Sequence, residues 1–333
     1  MTVRVITTGG TISSHWDGAA WSNIGGVALL NEIAAGGLAA DVSVVDVAAG
    51  PSSSLTLAAM LSIANGVADS LDEAGRRGDP HGAVVVHGTD TIELTAFAAQ
   101  LVLGTDPVRR PAVFTGSMRV HSHHAPDGPG NVRDAVAVAA AGTAVGRDVV
   151  VCMGGALHAA DRVCKRDAAS LDAFTSAPLQ PVGSVEGGDV VFASPAGMRP
   201  ALGRVDVSLL EPVPLVTCVP GIEAGDVERA IGGARAAVVE GFGDLNLPSA
   251  VWRPVHDAAM RGCAIIVASG AFTPSISNET LDALGAIGSG GLSAQKARLA
   301  AAAALAAGCD RAGIAALLGA YALHRDAGER GTA

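Results

Sequence analysis

Short runs of β-branched and other apolar residues alternate along the chain with longer Ala- and Leu-rich stretches. The runs at 3–7, 42–47, 83–87, 112–115 and 149–152 have the length of strands, and the stretches 55–76, 91–103 and 131–141 have the length of helices. Gly, Pro or Asp punctuates their ends. That alternation predicts βαβ units, in which helices cover a mainly parallel sheet. Between about 184 and 212 the rhythm lapses into Gly187, Gly188, Pro195, Gly197, Pro200 and Pro212, which predicts a connector or a β-hairpin. A second series follows, with strands at 215–219, 236–240 and 264–268 and Ala-rich helices at 293–307 and 311–324. The expected fold class is α/β, with a larger N-terminal domain (1–184), a linker or hairpin (185–212) and a smaller C-terminal α/β domain (213–333). No repeat of fixed period interrupts this plan.

Composition narrows the picture. With 49% hydrophobic and 16% charged residues over 333 positions, the chain has enough apolar material to bury a core, which excludes disorder. Aromatic residues are only 3%, so small aliphatic side chains must do the packing. The longest apolar candidate, 299–323, is broken by Asp310 and Arg311, short of the roughly 18 uninterrupted residues of a membrane span. A net charge of −10, with 22 basic residues spread along the chain, offers no basic stripe, so neither nucleic acid nor an anionic membrane is the expected partner. Five cysteines without a CxxC pair suggest neither a disulfide framework nor a zinc site, and fit a reducing compartment. Met1 leads straight to Val3-Arg4-Val5-Ile6 with no leader-like segment, and a cytoplasmic location is expected.

Polar residues collect where the predicted strands end. The first strand runs into Thr7-Thr8-Gly9-Gly10-Thr11-Ile12, the second leads to Ser52-Ser53-Ser54, the third to His87-Gly88-Thr89-Asp90-Thr91 and the fourth to Thr115-Gly116-Ser117-Met118. In an open parallel sheet these carboxyl ends share a crevice, so a hydroxyl-lined pocket is expected there. The Gly9-Gly10 turn allows close backbone approach to a ligand, or is simply a tight strand-to-helix turn. Asp90 or Thr91 has an equally ordinary alternative use, as the cap of the helix that follows. Lys165 shifts the balance. Of the 22 basic residues only Lys165 and Lys296 are lysines, and an ammonium can give up its proton where a guanidinium cannot.

Thr8-Gly9-Gly10-Thr11-Ile12 followed by His87-Gly88-Thr89-Asp90-Thr91 resembles the paired signatures of the bacterial-type L-asparaginase family. The resemblance continues through Thr115-Gly116-Ser117-Met118-Arg119, Asp127-Gly128-Pro129 with Asn131, Lys165, Asn246, and Leu292 with Gln295-Lys296-Ala297-Arg298, and so covers nearly the whole chain. It implies an amidohydrolase acting on L-asparagine or a related small amide, without metal or organic cofactor. It also implies a homodimer or homotetramer with active sites at the dimer interface. By position Thr11 would be the nucleophile, and Thr89, Asp90 and Lys165 a second threonine-centred triad. Gly10, Gly88 and Ser117 would line the substrate pocket. Ser52 and Ser53 would hold the substrate's α-carboxylate, Asp90 its α-ammonium, and Asn246 would reach in from a partner subunit. Two alternatives remain open: a relative with a changed amide or ester substrate, and an amino-acid-binding homologue without catalysis.

One departure from the family stands out. Its members usually carry a tyrosine on the lid just after the first signature, whereas here residues 13–26 hold His15, Trp16 and Trp21 and the only tyrosine is Tyr321. Indole donates but cannot accept a proton, while His15 can accept one, unless it is merely an exposed loop residue. Altered or weak asparagine turnover is the expectation. His121, His123 and His124 form an HxHH cluster that either binds a metal or, lacking a third ligand at the usual spacing, is solvated or contacts a neighbouring subunit.

Overall fold

The computed structural model describes residues 2–16, 21–47, 50–76, 78, 82–147, 149–193, 197–243, 246–271 and 278–322. They form two compact units, Met1–Val207 and Ser208–Ala333.

In the first unit the strands are β1 (Thr2–Thr7), β2 (Ser14–Trp16), β3 (Trp21–Asn23), β4 (Asp41–Asp46), β5 (Ala83–Val86), β6 (Ala112–Thr115), β7 (Val150–Met153), β8 (Ala156–Ala159), β9 (Cys164–Lys165), β10 (Phe174–Thr175), β11 (Gly183–Glu186) and β12 (Asp189–Phe192). Four α-helices accompany them: α1 (Gly26–Ala34), α2 (Leu57–Arg76), α3 (Ile92–Leu103) and α4 (Gly128–Ala140). Eight strands make one sheet in the order β12-β11-β8-β7-β6-β5-β1-β4, while β2 with β3 and β9 with β10 form separate two-stranded ribbons. From β4 to β7 the sheet is parallel. From β7 outward to β12 it is antiparallel.

Strands β5, β6 and β7 are buried at every residue, as the continuous apolar runs of a sheet covered on both faces should be. On one face Val3, Val5, Val84 and Val86 pack with Leu29, Leu30 and Ile33 of α1 and Val132 and Val136 of α4. The intervening Val85 and Phe114 point the other way and are also fully buried. Each such side chain contributes roughly 1.5–3 kcal/mol on burial. The parallel strand order β4-β1-β5-β6-β7 reverses direction between β1 and β5, the switch point where the loops leaving adjacent strands part to opposite faces and open a crevice.

Residues 185–192, expected as part of a linker or hairpin outside the N-terminal domain, instead belong to the edge of the large sheet. β11 pairs with β8, and Val185 is buried in the core against it. Two glycine pairs make this edge possible. Gly154 and Gly155 join β7 to β8, and Gly187 and Gly188 join β11 to β12, all four at positive φ, as tight two-residue hairpins of the primed types favour. Helix α4 begins three residues ahead of the expected 131 because Pro129 fits its first turn.

The second unit holds β13 (Leu215–Thr217), β14 (Ala236–Gly241), β15 (Ala264–Ser269) and β16 (Ile287–Gly288), parallel and in sequential order. Around them lie α5 (Ala224–Ile231), α6 (Ser249–Met260), α7 (Asn278–Leu284), α8 (Ala294–Ala306) and α9 (Arg311–Gly319). Val216, Val227, Val239, Val251 and Ile265 share one core cluster. Ala297, Ala300 and Ala303 of α8 are wholly buried, the small-residue packing expected of a chain poor in aromatics. Helix α9 ends at Gly319, short of the expected 324; residues beyond 322 lie outside the described ones. Among the described residues no helix is long and apolar enough to cross a membrane.

Candidate active site

The loops leaving β1 and β5 meet at the switch point. Gly10 has φ +101°, and a Cβ there would lie 2.6 Å from the Cα of Gly88, so the two signature loops touch only because neither carries a side chain at the contact. A Cβ on Gly88 would in turn lie 2.6 Å from Ser52 Oγ. Three segments, around Gly10, Ser52 and Gly88, are thereby locked together. They enclose a cleft of about 180 Å³ lined by Gly10, Ser14, Gly50, Pro51, Ser52, Gly88, Thr89 and Asp90.

Thr89 is 5% exposed, and its Oγ1 accepts from Lys165 Nζ at 2.9 Å. The same Nζ donates to Asp90 Oδ1 at 3.0 Å, with Asp90 facing solvent. Lys165 reaches this position from the β9–β10 ribbon. There its backbone pairs with buried Phe174, and its N–H donates to Glu93 Oε2 at 2.7 Å. Glu93, in the first turn of α3, thus holds the Lys165 backbone, a contact that inspection of the signatures alone passed over. The capping alternative is not what the side chains do. Thr91 precedes α3 without a side-chain cap bond and donates its hydroxyl to the Ser52 carbonyl at 2.9 Å, while Asp90 holds Lys165.

The remaining expected residues divide. Ser52 is 4% exposed and lines the cleft; Ser53 is exposed and does not. Ser117, expected against substrate, is 1% exposed and off the cleft lining. Its Oγ lies within hydrogen-bond distance of Asp127 Oδ1 and of the Arg119 carbonyl, two acceptors in its own loop. Asp127 also accepts from the N–H groups of Met118 and Arg119 and from Asn131 Nδ2, and Asn131 donates to the Gly116 carbonyl. The Asp127 and Asn131 of the resemblance therefore brace the loop after β6. Asn246 lies in the second unit, exposed, with Nδ2 donating to the Gly243 carbonyl.

Thr11 heads the short 3-10 turn Thr11–Ser13 directly after Gly10. Its side chain, like those of His15 and Trp21, lies outside the described residues. The backbones of His15 and Trp21 belong to the β2–β3 ribbon, in which Trp16 stands opposite Trp21. Trp16 is 42% exposed, and its N–H is held by Ser122 Oγ at 3.0 Å. His121 donates its backbone N–H to the Ser14 carbonyl and sets its ring 3.0 Å from Glu32 Oε2, while the His123 and His124 ring centroids lie 4.2 Å apart with the planes tilted by 32°. The HxHH segment thus ties the ribbon to its surroundings. Among the described residues no group of three or more His, Cys, Asp or Glu is arranged to hold a metal ion.

His87, last before the second signature's Gly88, is completely buried beside Phe114. Its Nδ1 lies 2.8 Å from the Gly88 carbonyl. Burial pushes its pKa from 6.5 down to about 4, against the opposing pull of that hydrogen bond, so the ring is neutral near pH 7.

The arrangement provides a threonine hydroxyl in contact with a lysine, a carboxylate on the same lysine, and glycine-rich backbone at the mouth. Such a set suits proton transfer during attack on a carbonyl. Known proteins resemble this chain over most of its length. A family profile described as "Asparaginase, N-terminal" matches residues 2–197, and "Glutaminase/Asparaginase C-terminal domain" matches residues 212–318. L-asparaginase 2 of Escherichia coli (strain K12) is 30% identical over 315 residues, 89% of this chain and 86% of that protein. The glutaminase-asparaginase of Pseudomonas fluorescens biotype A is 30% identical over 326 residues, 91% of this chain and 86% of that protein. The fold matches the thermostable L-asparaginase from Thermococcus kodakarensis with a TM-score of 0.82 at 22% identity, over 96% of this chain and 97% of that one. With both halves of the chain matched in order and full-length relatives at this identity, the chain belongs to the asparaginase family.

Proposed function

We propose that this protein is an amidohydrolase that converts L-asparagine to L-aspartate and ammonia. The observation that carries the reading is the Thr89–Lys165–Asp90 contact set in a small polar cleft at the switch point. Thr11 is the nucleophile in this scheme: its hydroxyl attacks the side-chain amide carbon, and ammonia leaves after taking up a proton. Water then attacks the acyl-threonine and releases the acid. Lys165, in its neutral form, takes a proton through Thr89, and the Asp90 carboxylate stabilises the ammonium that results. Backbone N–H groups at Thr11 and Thr89 receive the charge that develops on the amide oxygen. Asp90 also faces solvent at the cleft, where a substrate α-ammonium fits its charge, and the cleft-lining Ser52 suits the α-carboxylate better than exposed Ser53 does.

The same reading includes an oligomer in which Asn246 of one subunit completes the site of another. Light scattering that finds an active monomer refutes that part. The activity itself is tested by ammonia release from L-asparagine, with L-glutamine and bulkier amides in parallel. Thr11→Ala and Thr89→Val should abolish turnover while leaving the circular dichroism spectrum and Tm unchanged. Absence of ammonia from every amide, with calorimetric binding of asparagine retained, would instead identify an amino-acid-binding homologue.

A further inference from the structure

The catalytic scheme leaves one buried group without a task. His87 is 0% exposed at the carboxyl end of β5, and its Nε2 has no hydrogen-bond partner among the described residues. A neutral imidazole so placed is a poor choice for filling space, since an apolar side chain would avoid the unpaired nitrogen. Its other nitrogen is engaged. Nδ1 lies 2.8 Å from the Gly88 carbonyl oxygen, and a carbonyl only accepts, so Nδ1 carries the hydrogen and Nε2 is the bare one.

That single bond has a geometric consequence. The Gly88 C=O and the Thr89 N–H belong to one planar trans peptide and point in opposite directions. Whatever fixes the carbonyl therefore aims the amide. Glycine at 88 gives this peptide little resistance to rotation of its own, and among the described residues no acceptor takes the Thr89 N–H. Thr89 and Gly88 both line the cleft, and the buried His87 does not.

We propose that His87 is a positioning residue for the oxyanion site: its Nδ1–H holds the Gly88 carbonyl so that the Thr89 N–H faces the amide oxygen on which charge develops. The inference rests on the amidohydrolase reading above and adds to it a residue that never touches substrate. The ring's neutrality near pH 7 suits the role, because it keeps one fixed tautomer.

A donor acting on the developing oxyanion affects the transition state more than the ground state, so its loss lowers kcat and spares KM. Three variants separate this role from simple core packing. His87→Leu keeps bulk and removes the donor; His87→Asn places an amide N–H near the former Nδ1; His87→Gln places one farther out, near the former Nε2. With asparagine as substrate, the Leu and Gln variants should lose about 10- to 100-fold in kcat with KM within about threefold, and Asn should recover most of the loss. In parallel, NMR of the protein labelled with ¹³C,¹⁵N-histidine should show His87 as the Nδ1–H tautomer. An Nε2–H tautomer, a Leu variant with wild-type kcat, or three variants equally impaired would each overturn the proposal while the wild type still released ammonia. Failure of the wild type to release ammonia from any amide would instead overturn the amidohydrolase reading, and this inference with it.

Discussion

Acidification from about pH 7 to about pH 5 should destabilise the fold through two buried histidines. Burial lowers His87 and His158 each from 6.5 to about 4. His158 sits in β8 with Nδ1 2.9 Å from Ser176 Oγ, and the charge of Asp172 opposes its shift without cancelling it. As pH falls through 6.5 the unfolded chain takes up a proton at each site, whereas the folded chain does so only near 4. More protons are bound in the unfolded state across that window, so stability falls as pH falls, and the loss is complete below the folded value. At 1.36 kcal/mol per pK unit, each full shift amounts to about 3 kcal/mol, of which about 2 kcal/mol is already lost at pH 5. Two independent sites give about 4 kcal/mol at pH 5, a large share of the 5–15 kcal/mol that typically holds a domain together. The assay is urea unfolding at several pH values for the wild type and for a His87→Leu/His158→Gln double variant. Comparing slopes rather than single values removes the contribution of carboxylates common to both. The double variant should have a curve flatter by about 4 kcal/mol between pH 7 and 5; parallel curves would refute the burial argument.

Lys165→Arg should be nearly as damaging to kcat as Lys165→Met, about 100-fold or more, because a guanidinium keeps the charge but cannot take the proton of Thr89; full activity in the Arg variant would reduce the lysine to a structural cation. Gly88→Ala places a Cβ 2.6 Å from Ser52 Oγ and 2.8 Å from its Cβ, and should cost about 1–3 kcal/mol in a melt together with most of the turnover; unchanged kcat would mean that the two loops need not touch. In the ribbon, His15→Ala and Trp21→Tyr should shift the relative kcat/KM for asparagine and bulkier amides. Efficient asparagine turnover by the wild type, untouched by either change, would remove any role for these residues in substrate choice.

Much of this protein is written locally in its chain. The strands of the parallel sheet are short apolar runs buried on both faces, so their composition announces them without knowledge of their neighbours. The signature at 87–91 follows such a run directly, and a residue at the carboxyl end of a central strand has few places to go but the crevice. The rarity of lysine singled out Lys165 for a related reason: a side chain's capacity to lose a proton is a property of its type.

What tertiary structure alone decided concerns partners distant in sequence. The edge strands β8, β11 and β12 are only four residues long, and their membership in the large sheet depends on pairing across the Gly154-Gly155 and Gly187-Gly188 turns. Residues 185–192 read as a connector or a lone hairpin for that reason; they are a hairpin, but one that continues the large sheet. Ser117 stands at a strand end like the others, and only the approach of Asp127, ten residues on, decides the bond its hydroxyl makes. Asp90 and Thr91 had the composition of helix caps, yet Lys165, 75 residues on, and the Ser52 carbonyl, 39 residues back, took their side chains instead. The unpaired nitrogen of His87 is likewise a fact of packing. A hydrogen bond or a steric contact acts over a few ångströms, and which residues come within that range is set by the folded sheet and its crossovers, so composition and spacing mark the candidates while the fold assigns their partners.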